Sequence, residues 1–406
     1  MWSSKLPSSV VVRCTKNLFG GFALGVVADG EQKVLVRGAI AGEVVKVRIL
    51  GQKKGLLKAV VETVDSASPH RIHDAQAPLQ GYQFVDYGHQ LTIKREIVVD
   101  ALRRAKVSFS QSEMMKIWPS KYEGHRMRAR FHADAKTGRL GFLEPNSHVV
   151  NLAPIDMEML LPETQRIVSS LPPLVGQVAM LENLSGSQRV FWCMSEQKPL
   201  PNGLDLACTI LHGQSCRPLL NASKNDGRVS DGENTVVRSV DSFFQSNRYL
   251  LPELVGCVVR LVGKSPGTVL DLYSGCGVFA QALAADGKVI AVEHLSKDLK
   301  LNAARFDFEA VLSTCEDYLR SSHCKQSDPS VVVVDPVRAG LSPVVVGQLN
   351  AMKSVQKIVY VSCDVATLAR DVKLLEEGSG FRLMHVECFD MFPQTTHVEV
   401  VTLLEK

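Results

Sequence analysis

Two short segments hold the residues whose types and spacing suit bond-making chemistry. Val331 to Val334 run into Asp335-Pro336-Val337-Arg338, and Lys357 to Val361 run into Ser362-Cys363-Asp364. Each opens as a buried β-branched strand. An acid and a thiol therefore fall at adjacent strand ends, beside the crevice where open α/β sheets take their ligands. A thiolate is a strong nucleophile, whereas a structural cysteine normally lies among apolar neighbours. Cys363 lies at a strand end among polar residues, and the other nine cysteines lack such a setting, apart from Cys276 inside a glycine turn. This makes Cys363 the candidate nucleophile.

A third segment suits a nucleoside cofactor. Asp271-Leu272-Tyr273-Ser274-Gly275-Cys276-Gly277-Val278-Phe279-Ala280 joins a strand, TVLDLY, to a helix, VFAQALAA. Glycines let the backbone approach a ligand closely, and the helix start favours negative charge. Glu293 ends the next strand, 18 residues after Gly275, where a carboxylate can accept from ribose hydroxyls. The turn alone does not name the cofactor, because GCGVFA also satisfies the dinucleotide fingerprint. S-adenosylmethionine and NAD or FAD both stay open until the strand-end acid and thiol favour the former.

The elements that must position these residues follow from periodicity. From Asp241 onward strands and helices alternate (KVIAVEHL, KDLKLNAARF, SVVVVDPV, KIVYVSC) and end in a hairpin of RLMHVECFDM with HVEVVTLLEK. Such alternation predicts an α/β fold with a parallel, doubly wound sheet. The first 62 residues read instead as four or five short strands between glycine turns, the size of a small OB-like β-barrel. They carry ten Lys/Arg against four acids, while the whole chain has a net charge of +4. Lys46, Arg48, Lys53, Lys54 and Lys58 would line a groove for an anionic strand. Residues 68–83 read as a linker and QLTIKREIVVDALRRA as a helix with Leu91, Ile97, Val98 and Leu102 on one face. Between about 120 and 240 strands and loops alternate. There Arg126, Arg128 and Arg130 share one strand face, to grip phosphates or to form a salt-bridged outer surface.

Composition bounds the rest. At 406 residues, 45% hydrophobic and 22% charged, the chain is ordinary globular material of two or three domains. No apolar run is long enough to span a bilayer, and the N-terminus lacks a secretory pattern. Ten cysteines without a CxxC pair argue against a zinc site or a disulfide framework. A cytoplasmic, monomeric protein with free thiols and no membrane partner is expected.

Phe243-Phe244-Gln245-Ser246-Asn247, the Asp271 to Ala280 turn, Asp335 to Arg338, Tyr360 to Asp371 and Asp390 to Glu399 resemble the RNA uracil-C5 methyltransferase family, in family order over the last 165 residues. The basic first 62 residues resemble its TRAM module, and HRMRARF with GRLGF and NSH its central domain. The resemblance implies a TRAM-like barrel at 1–62, a linker, helix and central RNA-binding domain at 63–240, and a Rossmann-like methyltransferase domain at 241–406. It implies transfer of a methyl group from S-adenosylmethionine to C5 of a uridine in RNA. Cys363 would attack C6 and Glu399 would remove the C5 proton. Asp335 would accept from uracil N3–H, a proton that cytosine lacks, and Phe243 would pack in the nucleotide site. Gln245, Tyr273, Gly275, Gly277, Val278, Glu293, Thr314, Asp317 and Asp335 would line the cofactor site. Each has a plainer reading: Glu399 as an outward residue on an edge strand, Gln245 and Asn247 as helix caps, Tyr273 as core.

The chain also departs from the family. Relatives that hold a 4Fe–4S cluster take three of its cysteines from the stretch that reads His73 to Gln83 here, and none is present, so no iron–sulfur cluster and no metal are expected. Asp-Pro-Pro-Arg becomes Asp-Pro-Val-Arg, Ser-Cys-Asn-Pro becomes Ser-Cys-Asp-Val, and Gln394 replaces a histidine. Asp364, beside Cys363, is expected to raise the thiol pKa by like-charge repulsion. The TRAM-like module points to ribosomal RNA as the partner, with transfer RNA second.

Overall fold

The computed structural model describes residues 9–28, 30–53, 55–73, 81–109, 114–143, 148–151, 157–198, 206, 208–213, 217–220, 228–231, 235–265 and 267–406. Lys54 of the expected groove, most of the cysteine-free stretch after His73 and part of the NSH motif lie outside them.

Alternating β-branched residues build the N-terminal unit. β1 (Ser9–Leu18), β2 (Phe22–Val27), β3 (Lys33–Arg37), β4 (Val44–Lys53) and β5 (Leu56–Ser66) close into a barrel in the order β1-β2-β3-β5-β4. Inward positions such as Val12, Val34, Val36, Val45 and Val47 are fully buried and fill it. Arg13, Lys46 and Arg48 take the alternate, outward positions. At the β1–β2 turn Gly20 and Gly21 have positive φ, and a Cβ at Gly21 would collide with the Thr396 side chain. The barrel turn thus rests directly on the loop that leads to Glu399.

Helix α1 (Tyr87–Arg104) starts at Asp86, whose side chain accepts from the His89 N–H. It buries Ile93, Ile97, Val98 and Leu102, while Leu91 is only half-buried. Those residues pack into one core with Leu270, Val332 and Tyr360 of the C-terminal sheet. β6 (Met114–Trp118) pairs parallel to the penultimate strand of that same sheet. Packing therefore places α1 and β6 with the C-terminal unit, not with the central one as the division at residue 240 expects. The apolar stripe of α1 finds its matching surface there.

The central unit is a seven-stranded sheet. It contains β7 (Arg128–Ala133), β8 (Leu140–Leu143), β9 (Val150–Asn151), β10 (Gln177–Glu182), β11 (Arg189–Cys193), β12 (Thr209–His212) and β13 (Arg217–Leu220), with α2 (Pro162–Ser170) before β10. The order is β13-β12-β11-β10-β7-β8-β9. Buried Glu182 binds Arg189 at 2.6 Å and also pairs with Arg248, whose Nε donates to Gly124 O at 2.8 Å. This charged knot joins the central sheet to the segment that enters the last unit. β14 (Arg228–Val229) and β15 (Arg238–Ser239) form a short ribbon on the way.

The C-terminal unit alternates strand and helix: α3 (Leu251–Val262), β16 (Val269–Leu272), α4 (Val278–Leu283), β17 (Val289–Glu293), α5 (Lys297–Ala303), β18 (Glu309–Leu312), α6 (Cys315–Arg320), α7 (Ser322–Ser327), β19 (Val331–Val334), α8 (Pro343–Ala351), β20 (Lys357–Ser362), α9 (Val365–Ser379), β21 (Arg382–Phe389) and β22 (Glu399–Glu405). The sheet order is β18-β17-β16-β19-β20-β22-β21-β6. β18 to β20 are parallel in that order, and β22 runs antiparallel between β20 and β21. The chain reverses its winding between β16 and β19, and ligands bind such sheets beyond the strand ends at that point. Apolar clusters cover both faces, which is why β19 can be four valines. Among the described residues no helix is long and apolar enough to cross a membrane.

Candidate active site

Three strands deliver the reactive groups. Asp335 leaves the end of β19, Cys363 the end of β20, and Glu399 begins β22 alongside. Cys363 is half-exposed, whereas every other described cysteine is buried. Glu399 is only 2% exposed and lies on an interior strand, so the edge-strand reading does not hold. Its carboxyl has no hydrogen-bond partner among the described residues and feels Asp335 and Arg338. Burial, then the Asp335 charge, push its pKa well above the usual range, against Arg338. Burial also lifts Asp335, to about 7, against the amide of Gln245, which bonds to it. The Cys363 thiol is raised to about 11 by burial, then by Glu399 and Asp335, and is drawn back by Arg338.

Asp364 does not act as the sequence suggests. Its carboxylate turns into the start of α9 and accepts from the Ala366 and Thr367 N–H groups, each at 3.0 Å. It caps the helix and is not among the charges that move the thiol. Glu399 and Asp335 supply the repulsion instead.

The Phe243–Asn247 segment borders this cluster. Asp298 on α5 accepts from Ser239 N, Ser239 Oγ and Ser242 Oγ at 2.6–2.7 Å, and so holds the approach to it. Gln245 is buried against Asp335, while the Phe243 ring is 65% exposed and stands free as an aromatic surface. Asn247 does not cap α3, whose N-cap is Leu250 without a side-chain bond; its Oδ1 holds the preceding turn, accepting from Tyr249 N and Leu250 N. Its Nδ2 donates to Met391 O at 3.1 Å, which ties this segment to the Glu399 loop.

That loop is fastened from α1. Lys94, fully buried, pairs with fully buried Asp390 at 2.5 Å and donates to Phe392 O at 3.3 Å. Tyr87 Oη donates to Asp390 at 2.8 Å. Gln90 Nε2 donates to Gln394 Oε1 at 2.7 Å, and Tyr82 N to Gln394 O at 2.9 Å. Gln394, at φ +67°, is therefore a fastening point.

The glycine turn shapes the second half of the cleft. Tyr273 and Gly275 have φ near +60° and Gly277 has φ +89°. A Cβ at Gly277 would come within 2.9 Å of Phe308, whereas one at Gly275 would meet nothing within 4 Å. Gly277 thus permits close helix–sheet packing, and Gly275 faces open space. Gly275 N donates to Glu293 Oε2 at 3.1 Å, and His294 N and Leu295 N to Oε1 at 2.7 and 3.0 Å. Three amides orient this carboxylate. Val278 and Tyr273 are half-buried beside it, and the Tyr273 hydroxyl meets Cys315. Thr314 caps α6, accepting from Asp317 N at 3.1 Å and donating to the Asp317 carboxylate at 2.8 Å. The preceding Ser313 N donates to Glu293 O, which brings the pair beside Glu293.

Four residues of the site escaped the sequence reading. Asp271 is fully buried; its Oδ2 accepts from Ala280 N, and its Oδ1 has no partner. Burial, then Asp335, push its pKa well up, against the Ala280 N–H. Leu295, 81% exposed beside Glu293, offers an apolar cover, as a flat ring would need. Arg338 is the cation facing Cys363 and Glu399, and Lys94 anchors the loop. Asp271 had a signal, a strand-end acid ahead of the glycines; Lys94 had none. Among the described residues no cluster of three or more His, Cys, Asp or Glu suits a metal ion.

Comparison with known proteins places this arrangement. Residues 318–406, which carry Asp335, Cys363 and Glu399, match the tRNA (Uracil-5-)-methyltransferase family. An uncharacterized RNA methyltransferase of Thermotoga maritima is 28% identical over 97% of this chain and 98% of its own length. A 23S rRNA (uracil(1939)-C(5))-methyltransferase of Pseudomonas putida is 29% identical over 91% of this chain and 88% of its own. The crystal structure of Pyrococcus abyssi tRNA (uracil-54, C5)-methyltransferase, in complex with S-adenosyl-L-homocysteine, shares the fold with a TM-score of 0.72, at 22% identity, over 98% of this chain and 99% of that one. The segment that bears the thiol and both acids is thus the part of the chain that is similar to the tRNA (Uracil-5-)-methyltransferase family.

Proposed function

We propose that this protein methylates C5 of a uridine in RNA through a covalent bond between Cys363 and C6 of the base, with S-adenosylmethionine as the cofactor. The observation that carries the reading is the meeting of one half-exposed thiol with two carboxyls and a guanidinium at three strand ends. The cofactor's fit rests on the partnerless Asp271 Oδ1, which suits an ammonium group, and on the open face at Gly275 beside Glu293 and Leu295. Tyr273, Gly277, Val278, Thr314 and Asp317 frame the same pocket. When bound, S-adenosylmethionine supplies an electrophilic methyl group.

The chain's own residues supply the remainder. Exposed Phe243 covers a base swung out of its stack. Asp335, as carboxylate, accepts from uracil N3–H, with Gln245 holding it in place. The Cys363 thiolate adds to C6, which makes C5 nucleophilic. Arg338 favours the thiolate and the carboxylate form of Glu399. After C5 is methylated, Glu399 takes the C5 proton, the Cys363–C6 bond breaks and the thiolate returns.

Large-subunit ribosomal RNA is the preferred target on the Pseudomonas putida relative. Transfer RNA is the second reading, and one observation favours it: the structural match to a transfer-RNA enzyme covers 98% of this chain, so the barrel does not separate the two. Mapping 5-methyluridine in total RNA with and without the gene tests both. Loss at one large-subunit ribosomal uridine is expected, and loss confined to the transfer-RNA T-loop reverses the preference. RNA containing 5-fluorouridine, which has no C5 proton to lose, should become trapped on the wild type and not on Cys363→Ala. An absence of trapping on wild type removes the covalent mechanism.

A further inference from the structure

A cavity of about 310 Å³ opens between the outer face of β7 and the loop that leads to Glu399. Arg126 and Arg130 line it with Phe142 and Met159, and Phe392 to Thr395 close the other side. It contains none of Cys363, Asp335, Phe243 or the glycine turn, so it is separate from the uridine and cofactor pockets. It is nevertheless next to them. Phe392 packs edge-on against His397, ring centroids 6.1 Å apart, and His397 Nε2 faces Arg338 at 3.5 Å.

The chemistry of its wall is one-sided. Among the described residues no acid lines it, and neither Arg126 nor Arg130 forms an ion pair with a described carboxylate. Of the two uses open to this arginine face, the salt-bridged one is not realised at the cavity. Arg126 is held in place by its Nε bond to Arg128 O at 2.8 Å, with its guanidinium 6.0 Å from the centre of the Phe142 ring. Burial, then its neighbour Arg128, press its pKa down, against Tyr122. His125, lowered to about 4 by burial, and His132, lowered by burial and Arg130, are neutral near pH 7 and serve as hydrogen-bonding groups. An anion flanked by a flat apolar face and neutral polar edges is the description of a nucleotide, and the volume matches one small ligand.

We propose that this cavity is a second nucleotide subsite, which takes the base and phosphate of the ribonucleotide adjacent to the methylated uridine. The base lies against Phe142 and Met159, and the phosphate meets Arg130 and the Nη2 side of Arg126, whose Nη1 donates to Met159 Sδ at 3.6 Å. Occupancy presses on the loop that carries Glu399, so the neighbour of the target is read where the chemistry is done. The inference rests on the RNA-methylating function proposed above.

The test uses full-length protein and fluorescein-labelled pentauridylate with 5-fluorouridine at its centre, intact or with an abasic residue on the 5′ or 3′ side of the centre. In wild type one of the two abasic probes should bind about tenfold more weakly than the intact probe, as expected for one lost stacked base. Arg130→Met, an exposed position safe for folding, should weaken the intact probe and lower the slope of log affinity against log salt by about 0.7, one phosphate contact on a single strand. In Arg126→Met and Arg130→Met the abasic penalty should shrink. Lys325→Met, the loss of an exposed charge elsewhere, should change neither quantity. Equal binding of all three probes by wild type, or an undiminished abasic penalty in both arginine variants, overturns the subsite. Trapping of the intact probe is read in parallel: normal trapping with no abasic penalty sinks the subsite alone, whereas no binding and no trapping of any probe sinks the methylating function with it.

Discussion

The thiol at 363, the proposed nucleophile, is held in reserve. Raised to about 11 by burial, Glu399 and Asp335, it is mostly protonated near neutral pH, and Arg338 is the charge that opposes that trend. A raised thiol pKa means the reactive thiolate is gained as pH rises. kcat/KM should therefore climb from pH 6.5 to pH 9.5 in a stopped assay on RNA. Arg338→Met removes the opposing cation and should shift that limb to higher pH, costing about tenfold in rate at neutral pH for each pKa unit gained. An unchanged profile would take Arg338 out of this role. Glu399→Gln acts in the other direction on the thiol, since it removes the largest repulsive charge, yet it removes the proposed base as well. It should accumulate an RNA adduct visible on a denaturing gel while releasing little product. The sequence made Asp335 and Cys363 legible because strand ends and ligand crevices coincide in such sheets. It did not disclose the direction of the Asp364 carboxylate, because a cap and a repulsive neighbour occupy the same sequence position.

Helix α1 has two functions, and only one is visible in its spelling. The periodic apolar residues announce a helix that packs on something. Buried Lys94 interrupts that stripe and reads as a solvent residue, yet it is fully enclosed with Asp390. Breaking a buried pair by removing one partner costs about 3–5 kcal/mol, because the other charge is left uncompensated. Lys94→Met should lower unfolding free energy by that amount in urea titrations, and Lys94→Met with Asp390→Leu should recover much of it. If the loop, not the bulk fold, is what the pair secures, the double variant will regain stability while its turnover stays low with KM near wild type. Recovery of both would make the pair a packing feature only. The partner of α1 was misplaced in the sequence reading for a related reason: hydrophobic period reveals that a face is buried, and is silent about which sheet buries it.

The three units are joined by charge as much as by apolar packing. Glu182 holds Arg189 and Arg248 at the junction of the central sheet with the catalytic unit, all three buried. Glu182→Gln leaves two guanidinium groups enclosed without a carboxylate, at a cost of about 3–5 kcal/mol. Calorimetry should then resolve two unfolding steps where wild type shows one; a single, merely lower transition would place the cost inside the central sheet. The alternating strands of the barrel and the βαβ rhythm foretold both architectures. The arginine-lined cavity could not be foretold, because residues 126–130 and 392–395 meet only once the central sheet is docked.

The contact between Gly21 and Thr396 has a further bearing. A hydrogen is all that position 21 can offer without pushing on the far loop, so the turn of the barrel acts as a doorstop for the segment that leads to the proposed base, Glu399. Shaving off the N-terminal module would then do more than blunt the grip on RNA. It would let that segment drift, and a shortened enzyme supplied with saturating RNA should still turn over slowly, a deficit that extra substrate cannot repair.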